Sequence, residues 1–168
     1  MQVDLSKIWG VENEKISFSL TKALEENELE FSGEVITIIK PIQVFGSAVN
    51  YDDEIHLGLN IKTKAKRICS RCLCAYDEPI DIKANLTFSK DGQDTEDNVY
   101  FIREYTIDIT NIIIDEITAQ LSMKPLCNEY CKGLCQICGV NRNHTSCKCK
   151  KTEIDPRLEA LSKFFEEK

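Results

Sequence analysis

Long apolar runs are missing from this chain of 168 residues. Its densest stretches, VITII and IIID, fall far short of the roughly 20 residues that a membrane span needs. The opening, MQVDLSKIWG, has no apolar h-region, so no signal peptide is expected and the chain reads as cytoplasmic. Histidine is scarce, at two residues. There is no H-E-x-x-H, no phosphate-binding glycine loop and no nucleophile elbow, which removes the commonest sequence marks of metalloproteases, nucleotide binders and α/β hydrolases. Internal repeats and low-complexity tracts are absent as well. What the chain holds in quantity is cysteine, nine in all. Disulfides are rare where thiols stay reduced, so metal is the usual reason for such a count.

The formal net charge of −7 argues against bulk affinity for nucleic acid, but the charge is unevenly placed. Residues 62–72 hold Lys62, Lys64, Lys66, Arg67 and Arg71 without an acid. Residues 124–151 hold Lys124, Lys132, Arg142, Lys148, Lys150 and Lys151 against Glu129 alone. Together these stretches carry +10 and the remainder −17. The two basic stretches are also the two cysteine stretches.

The first ninety residues read mainly as strand. ISFSL (16–20) alternates, and GEVITIIK (33–40) is β-branched and ends at Pro41, which cannot donate to a ladder. IQVFGSAVNY (42–51) resumes as a strand, with Gly46 marking a bulge or a close backbone approach. Asp52, Asp53 and Glu54 read as a solvated turn. From Ile55 to Ile68 the period is 2, with Leu57, Leu59, Ile61, Thr63 and Ala65 on one face and Lys62, Lys64 and Lys66 on the other. Pro79 to Phe88 alternates again. A polar loop follows at 90–98, then a short strand near 99–102. Ile109, Ile112, Ile113, Ile117 and Leu121 then follow helical spacing, which predicts an amphipathic helix over about 108–123 with Asp108 as N-cap. At the end, Asp155 and Pro156 open a second helix with Leu158, Leu161, Phe164 and Phe165 on one face. The expected class is α+β: an antiparallel β-sheet or small barrel, an amphipathic helix, a zinc-bound cysteine-rich segment and a C-terminal helix. The boundary is set between a mainly β part, 1–107, and a helical and cysteine-rich part, 108–168, packed as one unit.

Zinc takes four ligands at tetrahedral corners and suits thiolates. A C-x-x-C turn brings two sulfurs to one ion, and a glycine after it lets backbone N–H groups face them. Cys135, Cys138, Cys147 and Cys149 form one complete set, C-x2-C-x8-C-x-C, with Gly139 after the first pair. Cys69 and Cys72 form a half-site, completed by Cys127 and Cys131. Cys131 and Cys135, four apart, could exchange roles, and Cys74 is left as a free thiol. His144, inside the x8 loop, could replace a thiolate, and His56 reads as a surface residue. A thiol oxidoreductase or a catalytic zinc fits less well, because a catalytic zinc keeps an open position and two full thiolate sets leave none. Two such zinc sites contribute −4, which leaves about +6 on the basic stretches after compensation. Two readings of the lysines stay open: a wet strand face kept from pairing, or a basic patch for RNA phosphates. Lys62, Lys64, Lys66, Arg67, Arg71, Lys132, Arg142 and Lys148 are the candidate nucleic-acid contacts.

Five segments resemble a known family: C-S-R-C-L at 69–73, M-K-P-L-C at 123–127, C-K-G-L-C-x-x-C-G-x-N-x-N at 131–143, C-x-C at 147–149 and D-P-R-L at 155–158. They are similar to the YceD-type proteins of bacteria and chloroplasts, called large ribosomal RNA subunit accumulation proteins. L-E-F-S-G-E-V at 29–35 also looks like the family. The resemblance implies a role in accumulation or processing of 23S ribosomal RNA, with a 23S precursor, an assembly intermediate or a ribosomal protein as partner. It implies no catalytic residue and no small-molecule substrate. Cys74 departs from the family pattern, and Arg142 and His144 occupy variable positions. The expectation is therefore a non-enzymatic ribosome-biogenesis factor holding two zinc ions that present a basic face. The alternative is a zinc-stabilised adaptor that binds a ribosomal protein and not RNA.

Overall fold

The computed structural model describes residues 1–23, 28–31, 33–52, 54–89 and 99–149. The loop expected at 90–98 and the C-terminal helix lie outside the described residues, as do Asp53, Lys150 and Lys151. In chain order the elements are β1 (Gln2–Asp4), β2 (Lys15–Lys22), β3 (Glu28–Phe31), β4 (Glu34–Ile38), β5 (Ile42–Tyr51), β6 (Glu54–Ile68), β7 (Ala75–Ser89), β8 (Val99–Phe101), β9 (Thr106–Asp108) and α1 (Thr110–Gln120).

The long hairpin of β6 and β7 is the spine of the sheet, paired antiparallel from Glu54↔Ser89 to Ile68↔Ala75. β7 occupies one whole edge of β6. β5 pairs with residues 54–62 of β6 and β4 with residues 65–66, so both lie end to end along the other edge. Pro41 breaks what would otherwise be one strand, since it has no N–H for the ladder. The join is held by Ile39 N–H on Lys64 O (2.8 Å) and the Thr63 hydroxyl on Lys40 O (2.8 Å). β2 extends the sheet beyond β5, and β3 beyond β4. Among the described residues no pairing joins the ends, so this is an open sheet and not a barrel. β8 pairs with β7 in parallel, which departs from the all-antiparallel expectation at that edge. A separate two-stranded sheet joins β1 to β9.

Alternation decides which face is covered. Val44 and Ala48 of β5, Leu57, Leu59 and Ile61 of β6, and Ile80, Ile82 and Leu86 of β7 are buried in one cluster. Ile113 and Ile117 of α1, flanked by Ile109 and Leu121, and Val3, Leu5 and Ile8 near the N-terminus, belong to the same cluster. Gly46 is a close approach and not a bulge: β5 stays in register there, and a Cβ at Gly46 would fall 2.2 Å from Cζ of Phe18. The helix is shorter than the expected 108–123. Its N-cap position is Ile109, one residue after Asp108, although the Asp108 carboxylate still accepts the Thr110 N–H at 2.8 Å.

Candidate metal centres

The β6–β7 hairpin ends in the loop 69–74, so the sheet itself carries Cys69 and Cys72 to one tip. Two backbone bonds shape this loop: Leu73 N–H on Cys69 O (2.9 Å) and Cys69 N–H on Cys74 O (3.0 Å). Residues 135–140 repeat the pattern, with Gly139 N–H on Cys135 O (2.9 Å) and Cys135 N–H on Val140 O (2.8 Å). In both turns the residue after the second cysteine is left-handed, Leu73 at φ 57° and Gly139 at φ 73°. Glycine suits that conformation; leucine is strained in it. The two C-x-x-C turns are thus the same device used twice.

After α1 the chain returns to the hairpin tip. Ser122 O accepts from Arg67 Nη2 (2.9 Å) and Pro125 O accepts the Ser70 N–H (2.9 Å). This return brings Cys127 and Cys131 against Cys69 and Cys72. The Cys69 and Cys131 sulfurs are 3.8 Å apart, and those of Cys72 and Cys127 3.7 Å. All four Sγ atoms lie within 4.8 Å of one another. A tetrahedral ion with metal–sulfur bonds of about 2.3 Å needs sulfurs about 3.8 Å apart, so the spacing fits such an ion. The sulfurs of Cys135, Cys138, Cys147 and Cys149 also lie within 4.8 Å of one another. Both sets are those read from the sequence, without exchange between Cys131 and Cys135. Each cluster is able to hold a metal ion, and none of the nine cysteines is in a disulfide.

The thiols are not equivalent. Burial raises the pKa of Cys69, but N–H groups of Cys127, Cys72 and Arg71 outweigh it and bring the thiol down to about 6. Cys135 is brought down to about 6 by the N–H groups of Cys138 and Ile137. In each turn the donors come from two and three residues after the first cysteine. Cys149 is pushed up to about 12, first by its contact with the Cys138 thiol and then by burial. At Cys72 the Cys74 N–H lowers the pKa, yet burial and the neighbouring sulfurs carry it to about 12. A first thiolate is welcome in each cluster and further ones repel it, which is what a bound dication would relieve.

Residues around the clusters hold them together. Arg71 donates from Nη1 to Glu129 O (3.2 Å) and Cys131 O (3.1 Å), and its own carbonyl accepts the Leu134 N–H (3.1 Å). Gly133 passes so close that a Cβ there would fall 2.8 Å from Arg71 O. Asn143 donates from Nδ2 to Cys131 Sγ (3.3 Å), and Asn141 from Nδ2 to Cys74 Sγ (3.2 Å). The two asparagines of the C-G-x-N-x-N motif thus tie the second loop to the hairpin tip, at Cys74, and to the first cluster, at Cys131. Nothing in their sequence spacing signals this task.

The basic residues divide. Arg67, counted among the nucleic-acid contacts, is buried at 1% exposure. Its guanidinium pairs with Glu34 (3.0 Å) and Glu78 (3.2 Å), so it is a clamp and leaves the basic face. Lys62 pairs with Asp81 (3.2 Å) and Lys64 with Asp77 (3.4 Å), carboxylates on the neighbouring strand. Arg71 is directed to backbone carbonyls, as described. Lys66, Lys132, Arg142 and Lys148 are exposed and form no ion pair among the described residues. His56 is a surface residue beside Glu54 and Thr87, and His144 belongs to neither thiolate set.

The family profile described as "Large ribosomal RNA subunit accumulation protein YceD" matches residues 57–165. The chain belongs to the YceD family. The match takes in the β6–β7 hairpin from residue 57 onward, α1 and every cysteine. Among similar proteins, one of Bacillus subtilis (strain 168), "Uncharacterized protein YlbN", is 31% identical over 156 residues, covering 91% of each chain. The chloroplast YCED homolog 1 of Arabidopsis thaliana, called a large ribosomal RNA subunit accumulation protein, is 26% identical over 158 residues, covering 76% of this chain and 49% of that one. Its Zea mays counterpart is 38% identical over 76 residues, or 26% of its length. This chain therefore spans half or less of the chloroplast relatives' length. No solved structure is matched. No helix among the described residues is long and apolar enough to cross a membrane.

Proposed function

We propose that this YceD protein is a cytoplasmic, non-enzymatic ribosome-biogenesis factor that supports accumulation or processing of 23S ribosomal RNA. Each cysteine cluster holds one structural zinc, and the zinc-held tail presents bases to pre-rRNA. The observation that carries this reading is the placement of charge. Lys132, Arg142 and Lys148 lie exposed and unpaired among the thiolate ligands, whereas the sheet lysines Lys62 and Lys64 already face Asp81 and Asp77. All-thiolate sets of four suit zinc and leave no open position for a substrate or an activated water. The family's description supports the RNA assignment.

Two measurements test it. Metal analysis of the purified chain should find two zinc ions, with a cobalt-substituted spectrum of all-thiolate tetrahedral sites. Complementation of a depleted strain with Lys132→Glu/Arg142→Glu/Lys148→Glu should leave 23S rRNA low relative to 16S, while Lys62→Glu/Lys64→Glu should restore more of it. Full restoration by the tail variant would reject the basic tail as the working surface. A protein partner is the second reading. It is favoured by the apolar side chains left exposed around the clusters, Leu73 at 65%, Met123 at 80% and Ile137 at 61%. Co-purification of a ribosomal protein that survives ribonuclease would support it.

A further inference from the structure

A cleft of about 350 Å³ opens onto the first cluster, lined by Cys72, Cys127 and Cys131 of that cluster and, further out, by Asn128, Tyr130, Asn141, Asn143 and His144. Its volume is in the range of small-ligand sites. No carboxylate lines it. The three asparagine oxygens are already in use: Asn128 Oδ1 accepts the Tyr130 N–H (2.8 Å), Asn141 Oδ1 the Asn143 N–H (3.0 Å) and Asn143 Oδ1 the Lys132 N–H (2.7 Å). Asn141 and Asn143 each give one amide hydrogen to a sulfur. An amide nitrogen has two hydrogens. What the three amides have left to offer is therefore N–H together with one lone pair on each oxygen. At the rim stands Tyr130, 85% exposed, with no ring or side-chain partner among the described residues.

We infer that this cleft takes one unstacked nucleobase of single-stranded RNA, stacked on Tyr130 with its carbonyl edge toward the asparagine N–H groups. This rests on the reading that the tail contacts pre-rRNA and names how it does so. An aromatic face accepts any base, while amides that offer N–H groups and keep one acceptor lone pair each, with no carboxylate beside them, suit a ring edge that presents carbonyls and an N–H. The second cysteine loop supplies Asn141, Asn143 and His144, so the pocket exists only while both loops are docked. Lys132, exposed and with its backbone N–H held by Asn143, supplies a positive charge for the strand's phosphates.

Fluorescence anisotropy of the full-length, zinc-loaded protein with labelled ten-nucleotide RNAs (oligo-U, oligo-A and a stable hairpin) tests the inference. Single strands should bind more tightly than the hairpin, and oligo-U more tightly than oligo-A. Tyr130→Ala should weaken single-strand binding at least about fivefold and Tyr130→Phe should restore it. Asn128→Asp keeps an acceptor for the Tyr130 N–H, removes the donors and adds a negative charge; because the charge acts on every RNA, the lost donors should show as a larger loss for oligo-U than for oligo-A. Neither residue is a metal ligand, so zinc content should stay at the wild-type value in every variant, which separates a lost contact from a lost fold. Wild-type affinity in both Tyr130→Ala and Asn128→Asp would overturn the cleft assignment, as would equal binding of hairpin and single strand, or binding of a ribosomal protein peptide with no RNA binding. If crosslinks to 23S precursor in cells persist in Tyr130→Ala at wild-type positions and strength, the RNA role stands and the cleft inference alone falls.

Discussion

Asn143 donates its side-chain amide to the Sγ of Cys131 across 3.3 Å, so a residue of the second cysteine loop completes the surroundings of the first cluster. Donors to a ligating sulfur tune and orient the ligand, and their loss typically costs about 10- to 100-fold in metal affinity. Asn143→Ala should therefore weaken the first site by about that factor while leaving the second site within about twofold. Competition with a chromophoric chelator reads both sites, and equal affinities to the unmodified protein would show that the contact is incidental.

Gly133 makes the docking of the two loops possible. It combines φ 68° with a Cβ position 2.8 Å from Arg71 O. Gly133→Ala meets both left-handed strain and a backbone clash, with a cost of about 2 kcal/mol. That corresponds to a melting temperature roughly 4–8 °C lower. Hydrogen exchange at the Leu134 amide, which donates to Arg71 O, should speed up in the same variant, while amides of the β6–β7 ladder keep their protection.

The period-2 run from Leu57 to Ala65 was readable in the sequence because one face of a half-buried strand must be apolar, and Pro41 was readable because it cannot join a ladder. The thiolate sets were readable because zinc chemistry constrains residue type and number. Arg67 reads as a surface contact in the sequence but is buried, as its shared parity with Leu57 and Ala65 requires. Its charge argued for water, and the partners that make burial tolerable, Glu34 and Glu78, lie 33 and 11 residues away. The same limit hid the pairing of Lys62 with Asp81, which depends on strand register, and the reach of Asn143 to Cys131. The parallel edge strand β8 is a tertiary choice that leaves no local pattern.

Arg67 bears on stability more than on binding. Its guanidinium reaches Glu34, Glu78 and the carbonyl of Ser122, joining β4, β7 and the segment after α1. Arg67→Met leaves two partly covered carboxylates without their cation and should cost about 3 kcal/mol, or roughly 6–12 °C in melting temperature. Adding Glu34→Gln and Glu78→Gln should recover part of that loss, because the damage comes from unpaired charge. No recovery in the triple variant would locate the loss in packing instead.

Metal binding should release protons. At pH 7.5 the thiols of Cys69 and Cys135, brought down to about 6, are already ionised. Those of Cys72 and Cys149, near 12, still hold their protons, as do Cys127 and Cys147, which are also raised. Zinc must displace these, so at least about two protons should leave per site. Affinity should fall as pH is lowered, and more steeply below about 6, where Cys69 and Cys135 also become protonated. Titration calorimetry in buffers of different ionisation enthalpy counts the protons. A count of zero at pH 7.5 would mean that the clusters are ionised before the metal arrives.

The most direct test of the account is ultraviolet crosslinking of the tagged protein in cells, with sequencing of the attached RNA, alongside Cys135→Ser/Cys138→Ser. Discrete crosslinks on the 23S precursor that disappear in the variant are expected, because in the proposed function the second cluster positions the basic tail. Crosslinks at background level in the unmodified protein would contradict it, and the 23S role would then have to act through a protein partner.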